Sequence, residues 1–174
     1  MESLTNAFTA VQRFVEAGGD VLYGIMFVLL LMWTLIFERI FYYNFRHPRI
    51  RQQVIETWNA RQDTSSWYAK QIRAGMVSQV SMDLNNGLLM IRTLVALCPL
   101  LGLLGTVSGM VEVFHVLALT GSGNARAMAS GVSKATIPTM AGMMAALSGL
   151  FFTFRLETYA KRETERVDDQ MVQH

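Results

Sequence analysis

Three stretches of this chain are nearly free of charge, and each is long enough to cross a lipid bilayer. They are Val21 to Phe37 (17 residues, no charge), Thr93 to Leu119 (27 residues, with Glu112 alone) and Ala135 to Phe154 (20 residues, no charge). A bilayer core takes about 20 apolar residues of helix, with a range of roughly 17–25. Lipid offers no hydrogen bonds to the backbone, and a helix satisfies its own. The expected fold class is therefore all-α, an integral membrane protein with three transmembrane helices.

Composition agrees with this expectation. Only 16% of the 174 residues are charged, against about 25% in soluble domains. Twelve of the 28 charged side chains lie between Glu38 and Arg92, so polarity is concentrated in one connecting segment. Residues 1–20 carry Glu2, Arg13, Glu16 and Asp20, unlike the basic start of a cleaved leader. The single cysteine, Cys98, excludes an internal disulfide and reads as a small buried hydrophobe.

Lysine and arginine counts set the direction of insertion. Residues 1–20 hold one, 38–92 hold eight, 120–134 hold two and 155–174 hold four. Three crossings put twelve basic residues on one side and three on the other, so the N-terminus is expected outside and the C-terminus in the cytoplasm. The chain thus divides into an outer amphipathic helix (1–20), span 1 (21–37), a cytoplasmic helical segment (38–92), span 2 (93–119), an outer hairpin with the start of the third helix (120–134), span 3 (135–154) and a helical tail (155–174). In the first segment Phe8, Val11, Phe14 and Val15 share one helical face. In the cytoplasmic segment "RQQVIETWNAR" and "SSWYAKQIRAGMVSQV" read as two helices, with Thr64 or Ser65 as the cap of the second. "DLNNG" either carries that helix onward or breaks it.

Helical projection separates the spans. At 100° per residue, Gly102, Gly105, Thr106, Ser108, Gly109, Glu112 and His115 gather on one half of span 2, and large aliphatics occupy the other. On the third helix Lys134, Thr139, Ala141, Gly142, Ala145, Ser148 and Gly149 oppose Met140, Met143, Met144, Leu147 and Phe151. Span 1 shows no such division and reads as an outer, lipid-facing helix. Small faces serve close packing, because lipid does not drive helices together hydrophobically; Gly102, Gly105, Gly109, Gly142 and Gly149 are assigned to that role. Ionisable residues need more, since one at mid-bilayer costs about 2.5–3.5 kcal/mol on insertion scales. Counting back from the hairpin, Glu112 and Lys134 fall at one depth, and Thr106 and Thr139 at a deeper one. A Glu112–Lys134 ion pair is expected, the alternative being that Lys134 snorkels to the interface.

"PLLGLLGTVSGMVEVF" (99–114) and "GVSKATIPTMAGMMAALSGLFF" (131–152) resemble the ExbB/TolQ/MotA family of bacterial inner-membrane motor subunits, and most of all its short ExbB branch. The resemblance implies a pentamer with a central pore lined by spans 2 and 3. It implies a single-span, ExbD-like partner whose membrane aspartate takes up and releases protons, and a TonB-like transducer powering outer-membrane uptake of iron-siderophore cargo. It carries Thr106 and Thr139 over as pore threonines. With the depth pattern, the expected pore-lining polar set is Thr106, Thr139, Ser108, Lys134 and Glu112. The family often has a glutamate where this chain has Lys134, which leaves H⁺ or Na⁺ open as the driving ion. A TolQ-like or MotA-like subunit is the alternative within the family, and a non-conducting membrane scaffold the alternative outside it. The implied location is the inner membrane of a Gram-negative cell.

No phosphate-binding loop or H-E-x-x-H pattern occurs. Glu112 and His115 have metal-compatible i, i+3 spacing but lack the second pair that a bundle site requires. No enzyme, cofactor or nucleic-acid partner is expected, and the basic segment suits orientation and anionic lipid contact.

Overall fold

A computed structural model describes residues 2–61, 63, 66–120 and 125–172. They form five helices: α1 (Glu2–Phe45), α2 (His47–Asn59), α3 (Trp67–Asn85), α4 (Leu88–Thr120) and α5 (Ala125–Val172). Three helical stretches are long and apolar enough to cross a membrane, within Gly18–Phe45, Trp67–Leu119 and Met128–Met171. The 33 residues of α4 and 48 of α5 exceed the roughly 20 that a bilayer core requires.

Local chemistry sets the helix ends. Gly19 kinks α1 with φ 64 and ψ −164, values open to glycine because it lacks a Cβ. The outer amphipathic face expected for residues 1–20 depends on side chains outside the described set. So do Thr64 and Ser65, and the hairpin tip 121–124. The described cap of α3 is Ser66, whose hydroxyl accepts from the Ala69 amide at 3.1 Å. "DLNNG" breaks the chain: α3 stops at Asn85, and Gly87 turns it into α4 with φ 79. Pro99 and Pro138 lie inside α4 and α5 without ending them, as proline in membrane helices often does.

The chain forms two compact units. The first comprises Met1–Met32 and Thr93–Gly149. Its core is Leu22, Ile25, Cys98 and Ala145, with Val28, Leu29, Leu101, Ala141 and Ala146 packed around it. Leu22, Ile25, Leu29 and Met32 thus give α1 a core-facing stripe at helical spacing, while Phe27 and Leu30 remain exposed. Span 1 has large side chains on both its buried and its exposed side, so it lacks the small face of α4 and α5. Size conceals its two sides because aliphatic residues serve core and lipid equally well.

The second unit comprises Trp33–Arg92 and Leu150–His174. Trp58, Val80, Leu84, Ile91, Ala160 and Val167 are buried in it. The Tyr43 hydroxyl donates to the Leu84 carbonyl at 2.7 Å, and Arg73 donates to the Asp168 carboxylate at 2.6 Å. Trp33 and Phe152 meet edge-on at 5.0 Å, and Tyr43 stacks on Tyr159 at 5.1 Å.

Candidate functional site

Glycine lets α4 and α5 approach backbone to backbone in the first unit. A Cβ on Gly102 would lie 2.9 Å from the Thr139 Cα and 3.0 Å from the Pro138 carbonyl oxygen. One on Gly109 would lie 2.7 Å from the Ala135 Cβ, and Gly142 abuts the Cys98 carbonyl. Gly105 accepts the buried Pro138 ring, and Gly149 lies against Met32 and Val95. These pairings run in opposite directions along the sequence, so the helices are antiparallel with their small faces together.

The two threonines are held differently. The Thr139 hydroxyl donates across the seam to the Gly102 carbonyl at 3.0 Å. Thr106 donates within its own helix, to the Leu103 carbonyl at 2.7 Å. Both side chains are partly exposed in the single chain.

Beyond that seam, α1, α4 and α5 enclose a cavity of about 320 Å³. Asp20, Ser108, Glu112 and Lys134 supply its polar lining, while Val21, Val113 and Pro138 are among the apolar walls. Three of the five polar residues singled out from sequence thus share one cavity, whereas Thr106 and Thr139 do not line it. Among the described residues no ion pair joins Glu112 to Lys134; both side chains are exposed. That corrects the expected pair. Fixing two long side chains in one geometry costs rotamer entropy, which a pair left uncovered in the single chain does not recover.

Asp20 is the cavity residue that sequence reasoning missed. It reads as the boundary of span 1, and only the bend at Gly19 brings it beside α4 and α5. The available signal was the "GGD" triplet (18–20), where paired glycines precede a carboxylate at a span end. Pro138 adds a second polar feature, because it has no N–H to give the carbonyl of residue 134 one turn earlier. No group of three or more His, Cys, Asp or Glu gathers as a metal site among the described residues.

The arrangement holds polar and charged groups around a small opening, next to a tightly packed pair of apolar helices. It can solvate an ion or an amphiphile's polar end. A family model for the MotA/TolQ/ExbB proton channels matches residues 33–169. Over 64 residues the chain is 47% identical to a "Putative biopolymer transport protein ExbB-like 1" of Synechocystis sp., covering 35% of this chain and 25% of that one. It is 35% identical over 85 residues to "Biopolymer transport protein exbB1" of Vibrio cholerae (48% and 37% covered). Against a Helicobacter pylori "Putative biopolymer transport protein ExbB-like 1" it is 30% identical over 92 residues (53% and 49% covered). The matched stretches span half or less of those relatives' own lengths.

Proposed function

We propose a function on the premise that this chain belongs to the MotA/TolQ/ExbB proton channel family: it is an ExbB-like subunit of an ion-driven motor in the inner membrane of a Gram-negative cell. Its N-terminus lies outside and its C-terminus in the cytoplasm. Five copies surround a pore that holds the membrane helices of an ExbD-like partner, and proton or sodium flow there drives a TonB-like transducer in biopolymer uptake.

The family match over both small-faced helices carries this reading. The exposed apolar sides of α4 and α5 support it. Leu100, Leu103, Leu104, Val107, Val111 and Phe114 are 54–63% exposed in one chain, and lipid and neighbouring copies would cover them. Thr106, Thr139, Ser108, Glu112 and Lys134 are the proposed polar path. A threonine hydroxyl donates to a carboxylate and accepts from a carboxylic acid, so it serves a partner aspartate in either protonation state. One charge crossing the membrane releases about 2.3 kcal/mol per 100 mV, enough to switch one partly buried carboxylate by more than a pKa unit.

Thr106→Val is the cleaner test, because the Thr106 hydroxyl bonds within its own helix while that of Thr139 joins two helices. With the ExbD-like partner in vesicles, the variant is expected to assemble normally and to lose voltage-driven ion flux. Full flux by Thr106→Val overturns the threonine path.

The seam itself favours a second reading, a membrane scaffold. Gly102, Gly105, Gly109 and Gly142 are all occupied by packing inside one chain, which explains them without ion movement. Absence of flux from the wild-type chain with its partner would select the scaffold.

A further inference from the structure

Asp20, Ser108, Glu112 and Lys134 border the cavity that α1, α4 and α5 enclose within the first unit. At about 320 Å³ it falls in the roughly 300–1,000 Å³ range of small-molecule sites, far more than one ion fills. Its polar atoms are mostly acceptors. Ser108 gives its one hydroxyl proton to the Gly105 carbonyl at 3.1 Å, which leaves only lone pairs for a ligand. Pro138 has no N–H for the Lys134 carbonyl one turn earlier, so that oxygen lacks its usual helical donor.

Among the described residues Asp20, Glu112 and Lys134 form no ion pair. Two carboxylates against one ammonium leave the lining formally one charge negative. A ligand that meets this set brings a positive charge and several N–H donors, as a primary ammonium group does. Lys134 then remains for an anionic group beside it.

The walls favour an amphiphile over a free solute. Val21, Val113 and Leu117 are apolar, and Val116 and Met128, at the same cavity, are 43% and 38% exposed. Asp20 immediately precedes the uncharged stretch that begins at Val21, which sets the cavity at the depth where headgroups end and acyl chains begin.

We infer that this cavity binds the headgroup of an ethanolamine phospholipid. Its ammonium donates to Asp20, Glu112 and Ser108, its phosphate pairs with Lys134, and its acyl chains leave past Val116 and Met128. On the orientation proposed above this is the outer leaflet. Of the proposed polar path it touches the outer level alone, since Thr106 and Thr139 do not line the cavity. Binding by three helices of one chain needs neither pore nor partner, so it stands or fails separately from the motor reading.

Thermal unfolding of the full chain in maltoside micelles, without a partner, tests the site. Phosphatidylethanolamine, phosphatidylcholine and soluble phosphoethanolamine are titrated separately into four proteins. These are wild type, the double variant Asp20→Asn/Glu112→Gln, Lys134→Gln and the exposed control Glu165→Gln. Choline keeps the charge and the phosphate but has no N–H. Wild type and the control are therefore expected to half-saturate with at least about tenfold less ethanolamine lipid than choline lipid, about 1.4 kcal/mol of binding. The double variant is expected to lose that preference, and Lys134→Gln to bind both lipids more weakly. Equal wild-type responses to the two lipids overturn the site, and so does a preference that survives in the double variant. A response to phosphoethanolamine without one to the lipid overturns the lipid assignment. If the double variant does not fold, an unchanged Lys134→Gln titration overturns the site instead.

Discussion

The Thr139 hydroxyl of α5 reaches the Gly102 carbonyl of α4 at 3.0 Å, a hydrogen bond across two helices between residues 37 apart in sequence. It forms only because Gly102 has no side chain: the position its Cβ would occupy is 2.9 Å from the Thr139 Cα. One polar contact and one missing methyl therefore hold the same point of the seam. Thr139→Val is expected to lose about 0.6–1.5 kcal/mol of helix–helix stability, and Thr139→Ser to retain most of it. Detergent unfolding curves of the two variants check this; equal loss in both would remove the hydroxyl from the account.

Gly102→Ala meets backbone atoms on the opposite helix, which cannot rotate away as a side chain can. A cost of about 1–3 kcal/mol is expected, as for other overpacked contacts. Gly24→Ala is the internal comparison, because nothing lies within 4 Å of its added Cβ. Alanine is better than glycine in a helix by about 0.5–1 kcal/mol, so this variant should be as stable as wild type or more so. The same unfolding assay reads both, and a destabilised Gly24→Ala would refute the spatial argument.

His47 is 3% exposed, and its Nε2 sits 3.4 Å from Glu163 Oε2 without the alignment of a hydrogen bond. Burial lowers its pKa from the ordinary 6.5, and the attraction of Glu163 offsets this only in part. The folded state therefore favours neutral imidazole. As pH falls through 6.5 the unfolded chain takes up a proton that the folded chain resists, so stability drops until the depressed folded pKa is passed. Urea unfolding at pH 7.5 and at lower pH should show this decline in wild type and less of it in His47→Gln. A wild-type stability that rises on acidification would mean that Glu163 dominates instead.

Cys98 is fully buried and should resist a charged thiol reagent until the protein unfolds, since reaction requires an accessible thiolate. Ser108 lines the cavity and is exposed. In a Cys98→Ala background, Ser108→Cys should be modified in the folded protein. Mass spectrometry after brief labelling distinguishes the two sites, and an unreactive Ser108→Cys would show the cavity closed to solute.

Some of this organisation was legible in the sequence. The small faces of α4 and α5 stood out because glycine, alanine, serine and threonine differ so much from leucine and methionine in size. The core stripe of α1 did not, because Leu22, Ile25 and Met32 resemble the exposed Phe27 and Leu30 in every property that a helical projection records. Asp20 looked like a boundary marker, and Arg39 like one more basic residue in the count that sets orientation.

Apolar length and backbone hydrogen bonding determined the three membrane-competent helices from sequence alone, because lipid leaves so few alternatives for an unpaired peptide group. Only the tertiary structure decided how the polar residues are shared. Thr139 is tied into a seam, Ser108, Glu112 and Lys134 border a cavity with Asp20, and Arg39 is buried against the start of α4. Those outcomes depend on helix register, on the bends at Gly19 and Gly87, and on which carbonyl or charge is nearest. Such distances arise between segments far apart in sequence, and no local pattern encodes them.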